Sequence, residues 1–166
     1  MNFLQSIKIF KNHLLKNENI FFLIFVLIIF FLDRLSKLQI INNHNDVPYY
    51  VNAYVNFDLI WNIGIGFGLL STNSSLLYNI VSIFILIVIL LLIYYFTTSN
   101  KIDKFIYSII IGGALGNFYD RITYNAVPDF VDLHYGNFHW FTFNVADIFI
   151  SVGILIFIIR SFFVRN

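Results

Sequence analysis

The stretch SLLYNIVSIFILIVILLLIYYF, Ser75 to Phe96, contains no Asp, Glu, Lys or Arg. A helix rises about 1.5 Å per residue, so some 20 apolar residues cross the roughly 30 Å hydrocarbon core of a bilayer. Inside lipid every backbone N–H and C=O must pair within the protein, which only helices and closed barrels achieve. The alternation of a barrel strand is absent, so this segment reads as a transmembrane helix. Ile20 to Ile41, Phe105 to Arg121 and Asn144 to Phe163 are also predominantly apolar and near spanning length, with Phe105 to Arg121 shorter and richer in small residues. The expected fold is an all-α membrane protein with four transmembrane helices, forming one domain over residues 1–166.

Composition points the same way. Apolar residues make up 59% and charged residues 11%, with mean hydropathy +0.80, whereas soluble domains carry roughly 25% charge. A net charge of +1 gives no field for gripping nucleic acid. The absence of cysteine excludes disulfides, iron–sulfur clusters, thiol nucleophiles and cysteine zinc sites. The first apolar stretch is too long for a cleavable signal peptide, and no small-residue cleavage site follows it.

Lys and Arg set the expected orientation. Lys8, Lys11 and Lys16 precede the first span, Lys101 and Lys104 separate the second from the third, and Arg160 and Arg165 close the chain. The connection from Asn42 to Ser74 has neither residue type, and the one after the third span has only Arg121. By the positive-inside rule both termini are cytoplasmic and those two connections face outside. The first of them, VPYYVNAYVNFDLIW from Val47 to Trp61, is rich in β-branched and aromatic residues, which predicts a small β-like flap between helices 1 and 2. The segment LHYGNFHWFTF, Leu133 to Phe143, has the aromatic character of a membrane–water boundary. His134 and His139 within it read as interfacial side chains rather than metal ligands, and no metal or other cofactor is expected.

Ionisable groups inside spans are costly and point to function by default. Asp33, Arg34 and Lys37 sit in the outer third of the first span, Asp120 and Arg121 end the third, and Asp129 and Asp147 flank the start of the fourth. All converge on the outer interface. Asp33 with Lys37, and Asp120 with Arg121, read as packing and orientation pairs. Ser108, Gly112, Gly116 and Asp120 form a stripe at helical spacing whose small residues allow close helix approach. Asn144, Asp147 and Ser151 form a second polar stripe, and the two are expected to face each other.

Asp129 and Asp147 differ in having no obvious local cation. Two carboxylates brought close cannot both ionise comfortably, so such a pair holds one proton between them. The ionised member can take a proton from water while the protonated member polarises a carbonyl, as in aspartic proteases.

Five motifs in order carry a resemblance. DRLSK (Asp33 to Lys37), NIGIGF (Asn62 to Phe67), GGALGNFYDR (Gly112 to Arg121), VPDF (Val127 to Phe130) and FNVAD (Phe143 to Asp147) resemble the signature segments of bacterial lipoprotein signal peptidase (signal peptidase II), an aspartic peptidase family. The likeness covers all four spans and most of the chain after Ile20. It implies an inner-membrane, multi-pass enzyme that removes signal peptides from prolipoproteins, cutting before a diacylglyceryl cysteine, and that globomycin inhibits. It places the catalytic dyad on Asp129 and Asp147. Substrate-binding or orienting roles fall on Asn62, Asn117, Arg121 and Asn144, and structural ones on Asp33, Lys37, Gly64, Gly112, Gly116 and Asp120. The expected partners are the lipidated substrate and membrane lipid, with the enzyme a monomer. Departures from the family pattern are Pro128 before the dyad, Gly66, and Asn125 in place of a common Gly, a residue type that tolerates left-handed backbone. A small transporter would need polar groups at several depths, which the charge-free second span does not offer. A non-catalytic assembly subunit would tolerate conservative change at either aspartate.

Overall fold

The computed structural model describes residues 5, 14, 16–44, 47–64 and 75–164. Lys8, Lys11, Arg165 and positions 65–67 of the NIGIGF motif lie outside the described residues.

Among the described residues the order of elements is α1 (Asn17–Asn43), β1 (Tyr49–Asn52), β2 (Val55–Asn62), α2 (Ser75–Thr98), α3 (Lys101–Tyr124), β3 (Val127–Tyr135), β4 (Phe138–Phe143) and α4 (Val145–Val164). Of the helices, α1, α2 and α4 are long and apolar enough to cross a membrane. Their outward faces carry exposed side chains such as Phe31, Leu35, Ile83, Phe84, Leu90 and Leu155. A chain whose large apolar residues face outward uses lipid as its solvent. Helix α3 differs because Lys101, Asp103, Lys104, Asp120 and Arg121 punctuate it. It is the hub, packed against α1, α2 and α4, with its Ile109–Gly113 segment buried.

Small residues make that hub possible. A Cβ on Gly112 would lie 2.8 Å from Ile29 Cβ and 3.0 Å from the Val26 carbonyl oxygen of α1, while one on Gly113 would lie 2.7 Å from the Ala146 carbonyl oxygen of α4. A Cβ on Gly116 would collide with the Asp33 carboxylate. The Gly112–Gly116–Asp120 stripe therefore faces α1, not the Asn144–Asp147–Ser151 stripe as the sequence reading expects; α3 meets α4 through its neighbouring face, at Gly113 and Asn117. Gly116→Ala is expected to cost about 1–3 kcal/mol, the usual penalty for overpacking. Thermal unfolding in nanodiscs checks this, and an unchanged midpoint would refute the close α1–α3 approach.

The β structure is larger than predicted. The strands form one antiparallel sheet in the order β1-β2-β3-β4, and half of it comes from the segment after α3. Alternation is hidden there because Val127, Pro128, Asp129 and Phe130 are all buried, as happens when both faces of a strand are covered. The predicted flap, β1 and β2, is thus one edge of a sheet and not an isolated hairpin.

Two terminations set the site. Helix α3 ends at Asn125, whose φ of 54° is left-handed, the conformation in which Asn substitutes for glycine at a helix C-terminus. The chain turns there directly into β3, bringing Asp129 back beside the end of α3. At the opposite end of the bundle, Lys104 lies 3.5 Å from Glu18 and Arg160 pairs with Asp103. The starts of α1 and α3 and the finish of α4 therefore share one end, away from both aspartates.

Candidate active site

The site begins at the first turn of α4. Asn144 is its N-cap: the side-chain oxygen accepts from the Asp147 backbone N–H at 3.0 Å, and the Asp147 carboxylate accepts from the Asn144 backbone N–H at 3.2 Å. This is a capping box with Asp at the third position, satisfying two otherwise orphaned donors. The same Asn144 amide donates from its other end to Asp129 Oδ1 at 2.6 Å. One residue thus touches both carboxylates.

The remaining oxygens are equally constrained. Asp129 Oδ2 accepts from Asn62 Nδ2 at 2.8 Å. Asn62 stands opposite Val127 in the β2–β3 register, on the same strand face as Asp129 two residues further on, a diagonal neighbour within side-chain reach. Asp147 Oδ1 accepts from Asn117 Nδ2 at 2.8 Å. Both oxygens of Asp129 already face amide donors, so a proton on this group must point away from them.

Behind the aspartates lies a buried ionic network. Lys37 is 0% exposed and donates to Asp33 Oδ2 at 2.7 Å, Asp120 Oδ2 at 2.7 Å and Asn117 Oδ1 at 2.8 Å. Those three acceptors match the three protons of an ammonium. The ammonium also fixes which end of the Asn117 amide faces Asp147. Asp33 Oδ1 accepts from the Ala146 backbone N–H at 2.9 Å, a free donor in the first turn of α4. Arg34 completes the set by pairing with Asp120.

The expected Asp33–Lys37 pair is present; an Asp120–Arg121 pair is not. Successive helix residues point about 100° apart, so Asp120 turns toward α1 while Arg121 turns elsewhere. Arg121 Nη2 donates to the Gly64 carbonyl at 2.8 Å, and Gly64 N–H donates to Asn62 Oδ1 at 2.8 Å. The Arg121 guanidinium also lies 5.7 Å from the centre of the Tyr78 ring. Among the described residues, its Nε and Nη1 are buried without hydrogen-bond partners.

Asn62, Asn117, Arg121, Asp129 and Asp147 line one cavity of about 320 Å³, whose other walls include Ile85, Ala114, Ile150 and Ile154. The cavity combines apolar walls with a few converging polar groups, the usual form of a small-molecule or peptide site. Asp129 is 3% exposed. Burial, and then the charge of Asp147, push its carboxyl up to about 7, against the opposing hydrogen bonds from Asn62 and Asn144. A carboxyl that keeps its proton to neutral pH beside a second carboxylate can serve as acid and base in hydrolysis.

Arg34 and Tyr78 are missing from the sequence-derived site. Arg34 had a signal in its place beside Asp33 within an apolar span; Tyr78 had none, because one tyrosine in an aromatic-rich helix does not announce its partner. His134 is also buried.

Fold and cavity together define a helical membrane enzyme. Two solved structures, each described as a bacterial membrane enzyme, superpose with TM-scores of 0.70 and 0.68 at 26% identity, covering 85% and 84% of this chain and 87% and 91% of theirs. The family model described as signal peptidase (SPase) II matches residues 24–163. The lipoprotein signal peptidase of Pelagibacter ubique is 44% identical over 147 residues, 87% of this chain and 89% of that protein. The enzyme of the same name from Anaplasma phagocytophilum is 37% identical, covering 76% and 82% respectively. The chain belongs to the signal peptidase II family, and it is a protease.

Proposed function

We propose that this protease is an aspartic endopeptidase that removes the signal peptide from diacylglyceryl-modified prolipoproteins, with Asp129 and Asp147 as its catalytic pair. The observation that carries the reading is the convergence of both carboxylates on one cavity, bridged by Asn144. The ionised carboxylate takes a proton from a water held between the two. The hydroxide adds to the scissile carbonyl while the other carboxyl donates its proton to the carbonyl oxygen. Collapse of the tetrahedral intermediate breaks the C–N bond, and a proton passes to the departing amine. The products are the signal peptide carboxylate and a lipoprotein with a free amine on its lipidated cysteine.

The surrounding groups have distinct tasks. Asn62 and Asn144 hold Asp129, and Asn117, locked by Lys37, holds Asp147. Arg121 offers its two unsatisfied donors to a substrate carbonyl, since leaving them unpaired when water is excluded is costly. Gly64 anchors the guanidinium from the far side. Asp33, Asp120, Gly112 and Gly116 keep α1 against α3.

In this reading residues 1–166 act as one domain in the bacterial inner membrane, α3 is the fourth crossing helix, and both termini are cytoplasmic. The dyad then lies at the outer interface, where a diacylglyceryl anchor would hold the scissile bond. The β1–β2 edge of the sheet borders the site through Asn62. The deciding experiment compares a lipidated prolipoprotein with its unlipidated form in a purified assay. Cleavage of the lipidated form alone, before its cysteine, is expected; equal cleavage of both would overturn the reading.

The pH dependence follows from Asp129. Below about 7 the pair retains its proton; as pH rises through that value the proton is lost, the general acid disappears and repulsion between the carboxylates grows. The rate kcat/KM is therefore expected to fall on the alkaline side with an apparent pKa near 7, and a flat profile from pH 6 to 9 would contradict the assignment.

A further inference from the structure

Away from the cavity, strands β3 and β4 gather a second cluster. Asp132 and His134 are two residues apart on β3, so their side chains share one strand face, and Asp129 is on the other. Regular pairing runs Val131 with Phe143, Asp132 with Thr142 and Leu133 with Phe141, and then the register slips so that His134 stands opposite His139 and Tyr135 opposite Phe138. Trp140 is the extra residue. Without that bulge Trp140 would face His134, and His139 would fall on the opposite face. Bulges re-aim side chains in this way and commonly accompany functional sites.

The result is a compact set of donors. His139 Nδ1 lies 2.7 Å from Asp132 Oδ2 and His134 Nδ1 lies 3.6 Å from the same oxygen. The imidazole rings stack with centroids 5.4 Å apart. One ligand atom from each of the three residues falls within 4.8 Å of the others. Asp132 and His134 are buried, at 4% and 6% exposure, yet His134 Nδ1 has no hydrogen-bond partner among the described residues. Asn56, the cross-strand neighbour of Asp132, also has a buried Oδ1 without a partner there. A buried carboxylate faced by two imidazoles, one of them without a hydrogen-bond partner among the described residues, is a donor set suited to a cation.

We propose that Asp132, His134 and His139 form a binding site for a first-row transition-metal dication, with Zn²⁺ the best match. Two imidazoles and one carboxylate are a regular ligand set for zinc, with bonds of about 2.0–2.2 Å. Tetrahedral coordination at that length needs ligand atoms about 3.4 Å apart. A rotation of His139, which is 58% exposed on its side chain, opens its contact with Asp132 to that spacing. Water completes the coordination. None of the three residues lines the cavity holding Asp129 and Asp147, so the ion stands outside the proposed peptidase chemistry and links β4 to β3, the strand that carries Asp129.

The full-length protein, purified without a histidine tag, stripped with chelator and held in detergent, is titrated with Zn²⁺ alone by calorimetry. Co²⁺ absorption serves as a second reading of coordination. The expected result is one saturable site, weakened at least about tenfold in His139→Gln and His134→Gln and unchanged in His44→Gln. His139 is exposed, so its variant is expected to fold normally. Zn²⁺ should raise the unfolding temperature of the wild type but not of His139→Gln, because only a site in the folded state shifts stability by mass action. Absence of saturable binding up to millimolar Zn²⁺, or identical binding by wild type and His139→Gln, would overturn the proposal. Because the readouts are affinity and stability, failure here is distinct from failure of the peptidase reading.

Discussion

Asp129→Asn and Asp147→Asn are each expected to lower kcat by roughly 10³–10⁴-fold or more while substrate binding persists. Loss of a positioned acid or base removes about 10²–10⁴-fold, and residues that act as a unit lose nearly everything when either one is removed. The amide cannot take a proton from water, and it places an NH₂ where Asn62, Asn144 or Asn117 already presents a donor. The double variant should be scarcely slower than either single variant. Single-turnover cleavage of a lipidated prolipoprotein, alongside a binding measurement, checks both points. An active Asp147→Asn enzyme would end the dyad proposal.

Lys37→Met is expected to produce the largest loss of stability, about 3–5 kcal/mol, as when one member of a buried ion pair is removed and its partner stays charged. Two carboxylates depend on this ammonium, Asp33 at 2.7 Å and Asp120 at 2.7 Å. Arg34 still serves Asp120, so Asp33 bears most of the cost. Adding Asp33→Asn should recover part of the loss, since coupled sites are not additive. The variant also frees Asn117 to flip, so kcat should fall more than KM rises. Unfolding in nanodiscs that shows less than about 1 kcal/mol of change would remove Lys37 from the centre of the network.

Much of this was legible because lipid makes polar residues conspicuous. The apolar run from Ser75 to Phe96 has no reading but a buried or spanning helix, and Asp33, Lys37, Asn117 and Asp147 stand out against such a background. Asp129 stands out with Asp147 for want of a local cation, and the motif order then places both in one dyad. What stayed hidden depended on direction and partnership. The Gly112–Gly116 stripe gave its spacing but not which helix it faced. Asp120 and Arg121 are adjacent in sequence and turn apart in space. Strand β3 concealed itself because its first four residues are buried on both faces. The meeting of His134 with His139 depends on a single extra residue in β4, a register event with no simple hydropathy signature.

If Asp129 and Asp147 hold one proton between them up to near-neutral pH, that proton is visible to carboxyl infrared spectroscopy of the enzyme. A protonated-carboxyl band is expected to persist from pH 5, to disappear with a midpoint near 7, and to be missing from Asp129→Asn. A wild-type spectrum with every carboxyl ionised by pH 5, or a band that survives unchanged in the Asp129→Asn variant, would contradict it.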